Sequence, residues 1–310
     1  DNYQLSDDFV AVSPTNPANT AGFRQSTDRY GIYLQDEWSL LGNLIVNAGI
    51  RYDSLSYAGD AINPRLALIY KPWENTSLKL LYGTSFRAPN ANELYYTDPF
   101  SIGNPKLKPE HIKTFEGIVE YQPDRTLRIT AVGFHYEINN LIQLKEISSL
   151  SPEADPKNQF INSGVNKAWG AEIEAEKLWN YGSRLRISYT WTNAHDAENH
   201  QKLINSPSNL VKLNFSTPLF ENWLRAGIEA QYTDSRKGRD GLKAAGYPLF
   251  NLTLTSGDKL FSGSLKGLEI SGSVYNLFDR RYASVASDEF VQHFIPQNER
   301  NFRLVFTYRF

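Results

Sequence analysis

Five histidines, His111, His135, His195, His200 and His293, are the side chains best suited to acid–base chemistry near neutral pH. A hydrolase would need one of them beside an activated nucleophile and an orienting carboxylate. His195 precedes Asp196, but no G-x-S-x-G turn accompanies the pair. His195 and His200 could share a metal. Two His without a third ligand at helical or hairpin spacing are more often plain loop residues. No Cys occurs, which removes a thiolate nucleophile, a thiolate zinc site and a disulfide framework. No catalytic residue, cofactor or resident metal is therefore expected, and the protein is not read as an enzyme. The chemistry that remains is recognition. Tyr95, Tyr96 and Phe100 form one aromatic group, Arg236, Lys237, Arg239 and Lys243 a cationic one, and Arg87 sits in Ser85-Phe86-Arg87-Ala88-Pro89. A guanidinium suits carboxylates and catecholates, and rings with cations suit an anionic aromatic ligand.

Something must hold these groups in place. The 310 residues carry 32 Lys and Arg against 34 Asp and Glu, a formal net charge of −2. That balance lacks the basic excess a nucleic-acid binder needs to neutralise phosphates. At 41% hydrophobic and 21% charged, the chain is too apolar for disorder. The chain begins on Asp1 and contains no Met, so it is expected to be a processed product or a piece of a longer protein. No run of about 18 apolar residues exists to form a transmembrane helix. A membrane role would have to use strands.

The periodicity is that of strands. Phe302, Leu304, Phe306, Tyr308 and Phe310 alternate with Arg303, Val305, Thr307 and Arg309. Leu78, Leu80, Tyr82, Thr84 and Phe86 likewise oppose Lys79, Gly83, Ser85 and Arg87, and Leu185, Ile187, Tyr189 and Trp191 oppose Arg186, Ser188, Thr190 and Thr192. Thirteen such segments are predicted, near 28–41, 44–57, 62–72, 77–88, 110–122, 125–145, 158–178, 183–195, 208–217, 222–235, 247–256, 267–278 and 299–310. Many reach the 9 to 11 residues or more that a tilted strand needs to cross a bilayer. Their connections alternate. Short turns fall at Gly42-Asn43, 73–76, Pro123-Asp124, 180–182 and 219–222, and long polar links at 89–109, 146–157, 196–207, 236–246 and 279–298. Two links break the rule by length, 57–61 on the long side and 257–266 on the short side. The pattern matches an outer-membrane barrel with short periplasmic turns and long extracellular loops. A propeller would repeat a blade motif, and none recurs here.

One face then looks inward and carries Arg51, Arg65, Lys79, Arg87, Glu116, Glu120, Glu172, Glu174, Glu176, Arg186, Lys212, Arg225, Glu229, Glu269, Arg303 and Arg309. Unpaired buried charge is costly, so the lumen is expected to hold water or a polar plug. Single-chain bacterial barrels usually have even strand numbers, and lipid tolerates no open edge. Thirteen strands thus imply a miscount by one or further strands upstream of Asp1. Trp38, Trp73, Trp179 and Trp223 lie near the short turns, as girdle residues would.

Three stretches carry a resemblance. Ser85-Phe86-Arg87-Ala88-Pro89 and Gly103-Asn104-Pro105-Lys106-Leu107-Lys108-Pro109-Glu110 resemble the paired "FRAP" and "NPxLKPE" boxes of TonB-dependent outer-membrane receptors, and Val274-Tyr275-Asn276-Leu277-Phe278-Asp279-Arg280-Arg281-Tyr282 resembles their penultimate strand. The strand ending on Phe310 looks like the signal read by the outer-membrane assembly machinery. The resemblance implies an all-β transmembrane antiparallel barrel. Residues 1–310 would form the C-terminal portion of the receptor β-barrel, about the last 13 of 22 strands, with residues 1–24 the remainder of an extracellular loop. The plug and the TonB-contacting box would lie outside this sequence, leaving the charged lumen without its partner.

The function so implied is import of a ferric siderophore by a receptor in the Gram-negative outer membrane, energised through TonB by way of the plug. The same machinery importing cobalamin, haem or a glycan, and a passive general porin, are the alternatives. Haem importers of the family place a histidine between the two boxes; residues 90–103 have none, and His111 lies just past them. Arg87, Tyr95, Tyr96, Phe100, Arg236, Lys237 and Arg239 are the candidate ligand-binding residues. Arg87 reads better as a lumenal group paired with carboxylates, the tyrosines read also as a membrane-interface belt, and the basic run could bind lipopolysaccharide. Expected partners are outer-membrane lipid and lipopolysaccharide, TonB, and a small-molecule metal chelate, with no nucleic acid.

Overall fold

The computed structural model describes residues 3–10, 22–97, 101–147, 157–257, 259–261, 263–287 and 290–310. In chain order the elements are β1 (Tyr3–Val10), β2 (Gly22–Leu41), β3 (Leu44–Leu55), β4 (Gly59–Trp73), β5 (Thr76–Arg87), α1 (Ala91–Tyr95), β6 (Ser101–Ile102), β7 (Glu110–Asp124), β8 (Leu127–Ile147), β9 (Lys157–Leu178), β10 (Arg184–Asp196), β11 (Asn209–Leu219), β12 (Leu224–Thr233), β13 (Arg236–Lys237), β14 (Lys243–Ala244), β15 (Tyr247–Ser256), β16 (Leu268–Tyr275), β17 (Ala283–Val285), β18 (Phe294–Pro296) and β19 (Asn301–Tyr308). No helix is long and apolar enough to cross a membrane among the described residues.

One meandering antiparallel sheet runs β1-β2-β3-β4-β5-β7-β8-β9-β10-β11-β12-β15-β16-β19, with β6 added in parallel to β9. Each of the thirteen predicted strands is present. The fourteenth, β1, pairs with Gly22–Arg29, a part of β2 that extends past its pairing with β3 and overlaps it only at Arg29. The segment expected as loop thus carries a paired strand standing beyond the rim. The two ends of the sheet do not pair with each other among the described residues, so the barrel is partial and open.

Burial is inverted relative to a soluble protein. Large apolar side chains such as Ile32, Leu34, Leu66, Leu80, Phe115, Ile173, Ile187 and Phe302 are exposed, and the register puts those of neighbouring strands on one face. Lipid takes the place of a core for this face. The buried apolar cluster is small, Leu94, Leu107 and Ile142, and lies at the loop end.

The opposite face carries the charges, and its partners differ from expectation. Cross-strand register brings Arg186 to within 2.6 Å of Glu174, Lys79 to 2.8 Å of Glu120 and Arg128 to 3.0 Å of Glu176, while Arg51 grips Asp53 at 2.7 Å. Much of the lumenal charge is therefore satisfied within the wall, not left waiting for a plug. The turn expected at Pro123-Asp124 sits two residues later. Asp124 accepts from the backbone N–H of Thr126 at 2.6 Å and of Leu127 at 3.1 Å, which closes the turn over Arg125 and Thr126 and leaves Pro123 in the strand.

Candidate functional site

In the described parts of the long links, side chains rather than periodicity hold the backbone. Arg87 ends β5 opposite Glu110, the first residue of β7. Its Nε donates to Glu110 Oε2 at 2.7 Å and its Nη2 to Oε1 at 2.8 Å, a bidentate fork. Its Nη1 donates to both oxygens of Glu93 at 3.0 Å. Glu93 also closes a capping box with Asn90 that starts α1. The second lone pair of Glu110 Oε1 takes the Ile142 N–H at 2.7 Å, just after Asn140, whose positive φ of 57° leaves a one-pair gap in the β8–β9 ladder without shifting its register. Asn162 completes the brace, accepting from Lys108 N–H and donating to Lys108 and Asn140 carbonyls at 2.8 Å each. The lumenal, carboxylate-paired reading of Arg87 is what the geometry shows.

Tyr95 packs on the Leu94, Leu107 and Ile142 cluster, whereas Tyr96 remains 41% exposed at the rim. Phe100 lies outside the described residues. His111 pairs with Phe86 and Asn139 and, being next to Glu110, points to the opposite face, away from the lumen.

The cationic run is dispersed. Arg236 is buried, donating from Nη1 to Asn205 Oδ1 at 3.1 Å and from Nη2 to the Ala283 carbonyl at 2.9 Å, with its guanidinium 5.7 Å above the ring of Tyr247. Tyr247 in turn packs against Tyr282 with the rings tilted, centroids 4.4 Å apart. Burial beside Tyr247 raises the Tyr282 phenol above its ordinary pKa. Arg239 Nη2 donates to the carbonyls of Phe290 and Gln292 at 2.7 and 3.1 Å. These two arginines join link 234–246 to link 276–300. Lys237 instead opens on a cleft, where it reaches Gln201 Oε1 at 3.1 Å.

The cleft measures about 770 Å³ and lies on the long-loop side. Its wall brings Lys145, Lys202 and Lys237 together with a single carboxylate, Asp196, and with the amides Gln143, Asn166, Asn199, Gln201 and Asn205. Asp196 Oδ1 accepts from the N–H groups of Glu198 and Asn199 at 2.8 and 3.1 Å, so its turn is rigid. Lys202 Nζ rests on Ser208 Oγ at 2.6 Å. The cleft residues come from five separate segments, and only Lys237 had a signal in the sequence. Glu110 did have one, as the last residue of Asn104-Pro105-Lys106-Leu107-Lys108-Pro109-Glu110. No metal-binding group of three or more ligands occurs among the described residues.

The third motif has a structural role. Asn276 adopts a left-handed φ of 52°, and its side chain donates to the Arg280 carbonyl and accepts from the Arg280 N–H, both at 2.8 Å. Asp279 Oδ1 accepts the Arg300 N–H at 2.8 Å, so the motif ties the end of β16 to the start of β19.

A family model described as TonB dependent receptor-like, β-barrel, matches residues 1–277. The chain belongs to the TonB-dependent receptor family. This family is one of transporters, not enzymes, and its membrane is the Gram-negative outer membrane. Membership also displaces the passive general porin. The vitamin B12 transporter BtuB of Photobacterium profundum is 27% identical over 305 residues, covering 97% of this chain and 46% of its own length. BtuB of Vibrio vulnificus is 29% identical over 267 residues, covering 85% of this chain and 40% of its own length. The chain thus spans less than half of these relatives. A solved structure of a variant of the ferric enterobactin receptor PfeA from Pseudomonas aeruginosa shares the fold, with a TM-score of 0.77 and 17% identity over 99% of this chain and 49% of that one.

Proposed function

We propose that the intact receptor captures an anionic ferric siderophore in the loop-side cleft and imports it with energy delivered by TonB through a plug domain. The observation that carries this reading is the charge of the cleft: Lys145, Lys202 and Lys237 face a single carboxylate, Asp196. A cavity with a cationic wall raises the local concentration of an anionic chelate. Within this reading Lys237 and Tyr96 contact the ligand. Arg87, Tyr95, Arg236 and Arg239 act indirectly, by fixing the links that shape the cleft.

Cobalamin is the second reading, and a separate observation favours it. Five amide side chains line the cleft, and both BtuB relatives are vitamin B12 transporters that align over most of this chain. Amides complement a neutral ligand fringed with amide groups. No such observation favours haem, since His111 faces away from the lumen, nor a glycan.

Equilibrium binding to the intact purified receptor separates the two. The siderophore reading predicts that a ferric catecholate binds and that Lys145→Gln with Lys237→Gln weakens it by about 30-fold, because each of the two lost cations near an anionic group is worth about 1 kcal/mol. Tight binding of cyanocobalamin that is indifferent to the two lysines would replace it with the cobalamin reading.

A further inference from the structure

The membrane face of the sheet holds a second feature, on strands that are paired on both sides and so complete in this chain. Register sets Tyr82, Phe115, His135 and Trp169 side by side in one row. One row toward the short turns lie Leu80, Gly117, Gly133 and Ala171. One row toward the long loops lie Thr84, Lys113, Glu137, Lys167 and His195. Residues two apart on a strand share a face, so the three rows stack on the apolar, outward side.

Where the two glycines oppose each other the surface sinks into a groove of about 530 Å³, lined by Leu66, Leu68, Leu80, Phe115, Gly117 and Gly133 among others. Above it, Lys167 Nζ lies 3.4 Å and Lys113 Nζ 3.9 Å from the Glu137 carboxylate. Two lysines share one carboxylate, so the row keeps an excess positive charge. Apolar groove, aromatic row and cations thus follow one another in the order of acyl chain, interface and headgroup in a lipid. The aromatic row marks the depth of the interface, and the cations lie on its loop side, which is the outer leaflet.

We propose that this face binds a phosphorylated, acylated glycolipid of the outer leaflet, with a phosphate on Lys113 and Lys167 and one acyl chain in the groove. A generic lipid annulus would need the greasy band alone. The juxtaposed cations select for phosphate and the groove for a chain lying flat against the strands.

Native mass spectrometry of the intact receptor in mild detergent tests this, with bisphosphorylated lipid A, dephosphorylated lipid A and phosphatidylglycerol as probes. Bisphosphorylated lipid A is expected to bind most tightly, and Lys113→Gln with Lys167→Gln to weaken it by about 30-fold. Gly133→Leu is expected to lose most of the bound lipid A with both lysines intact. A Cβ there meets nothing within 4 Å, so the variant should fold. Equal binding of phosphatidylglycerol, or lipid A binding unchanged in the lysine variant, would overturn the proposal. Neither result bears on ligand capture in the loop-side cleft, which is read by a different assay.

Discussion

Removing the Arg87 guanidinium should unlock one segment of the outer rim and spare its neighbour. In Arg87→Ala the carboxylates of Glu93 and Glu110 remain, with side chains only 10% and 12% exposed, and face each other without a cation. Breaking a buried pair by deleting one partner costs about 3 to 5 kcal/mol. Arg87 is itself 44% exposed, so water recovers part of this and about 3 kcal/mol is the fitting figure. The loss falls on what the arginine holds, α1 and its flanks. Residues 101–109 keep separate ties, Asn104 Nδ2 to the Phe160 carbonyl at 2.8 Å and the Asn162 contacts to Lys108. Hydrogen exchange on the intact receptor is the assay. Amides of residues 88–97 should exchange about 100-fold faster, since 1.36 kcal/mol is a factor of ten, while 101–109 change little. Adding Glu93→Gln should restore much of the protection. Unchanged exchange in 88–97, or a uniform rise across 88–109, would refute the idea that Arg87 is the local clasp.

Glycine requirements should differ sharply between neighbours. A Cβ at Gly170 would run into the Trp191 carbonyl and the Phe134 ring, so Gly170→Ala should lower the unfolding temperature or block assembly, at a cost of about 1 to 3 kcal/mol, whereas Gly133→Ala should be close to neutral. Asn276→Ala should cost about 2 to 3 kcal/mol in thermal unfolding, because it strands the Arg280 N–H and puts Ala at a left-handed φ; Asn276→Gly should recover the backbone part only. At Asp234 the Asn209 amide, 2.7 Å away, and the Ser235 N–H hold the carboxyl below the usual carboxylate range. A carboxylate depressed in the folded state stabilises above its unfolded value of about 3.9 and loses that contribution as pH falls through the folded value. Link 234–246 should therefore loosen below about pH 4, seen as faster exchange after correction for the intrinsic rate, and Asp234→Asn should remove that dependence.

What was legible in the sequence follows from where the restraint comes from. Strands that cross lipid show period-two alternation because outward positions at hydrocarbon depth must be apolar, and the strand β19 with Phe302, Leu304 and Phe306 is as readable as β5. The links above the membrane are under no such rule. Helix α1 and the short strands β13, β14, β17 and β18 rest on contacts such as Arg236 to the Ala283 carbonyl, 47 positions apart, which no local pattern announces. The same reason explains the cationic run. Arg236, Lys237 and Arg239 are close in sequence, but two of them serve as struts and only Lys237 opens on the cleft. Lumenal charges looked unpaired for a related reason: Arg128 and Glu176 meet only once the β8–β9 register is known.

The most direct test is a structure of the intact receptor with a ferric catecholate bound. The account predicts ligand density between the 196–205 turn, Lys145 and Lys237, with the Arg87, Glu93 and Glu110 cluster unchanged. Density elsewhere on the rim, with the cleft empty and its lysines turned away, would contradict it.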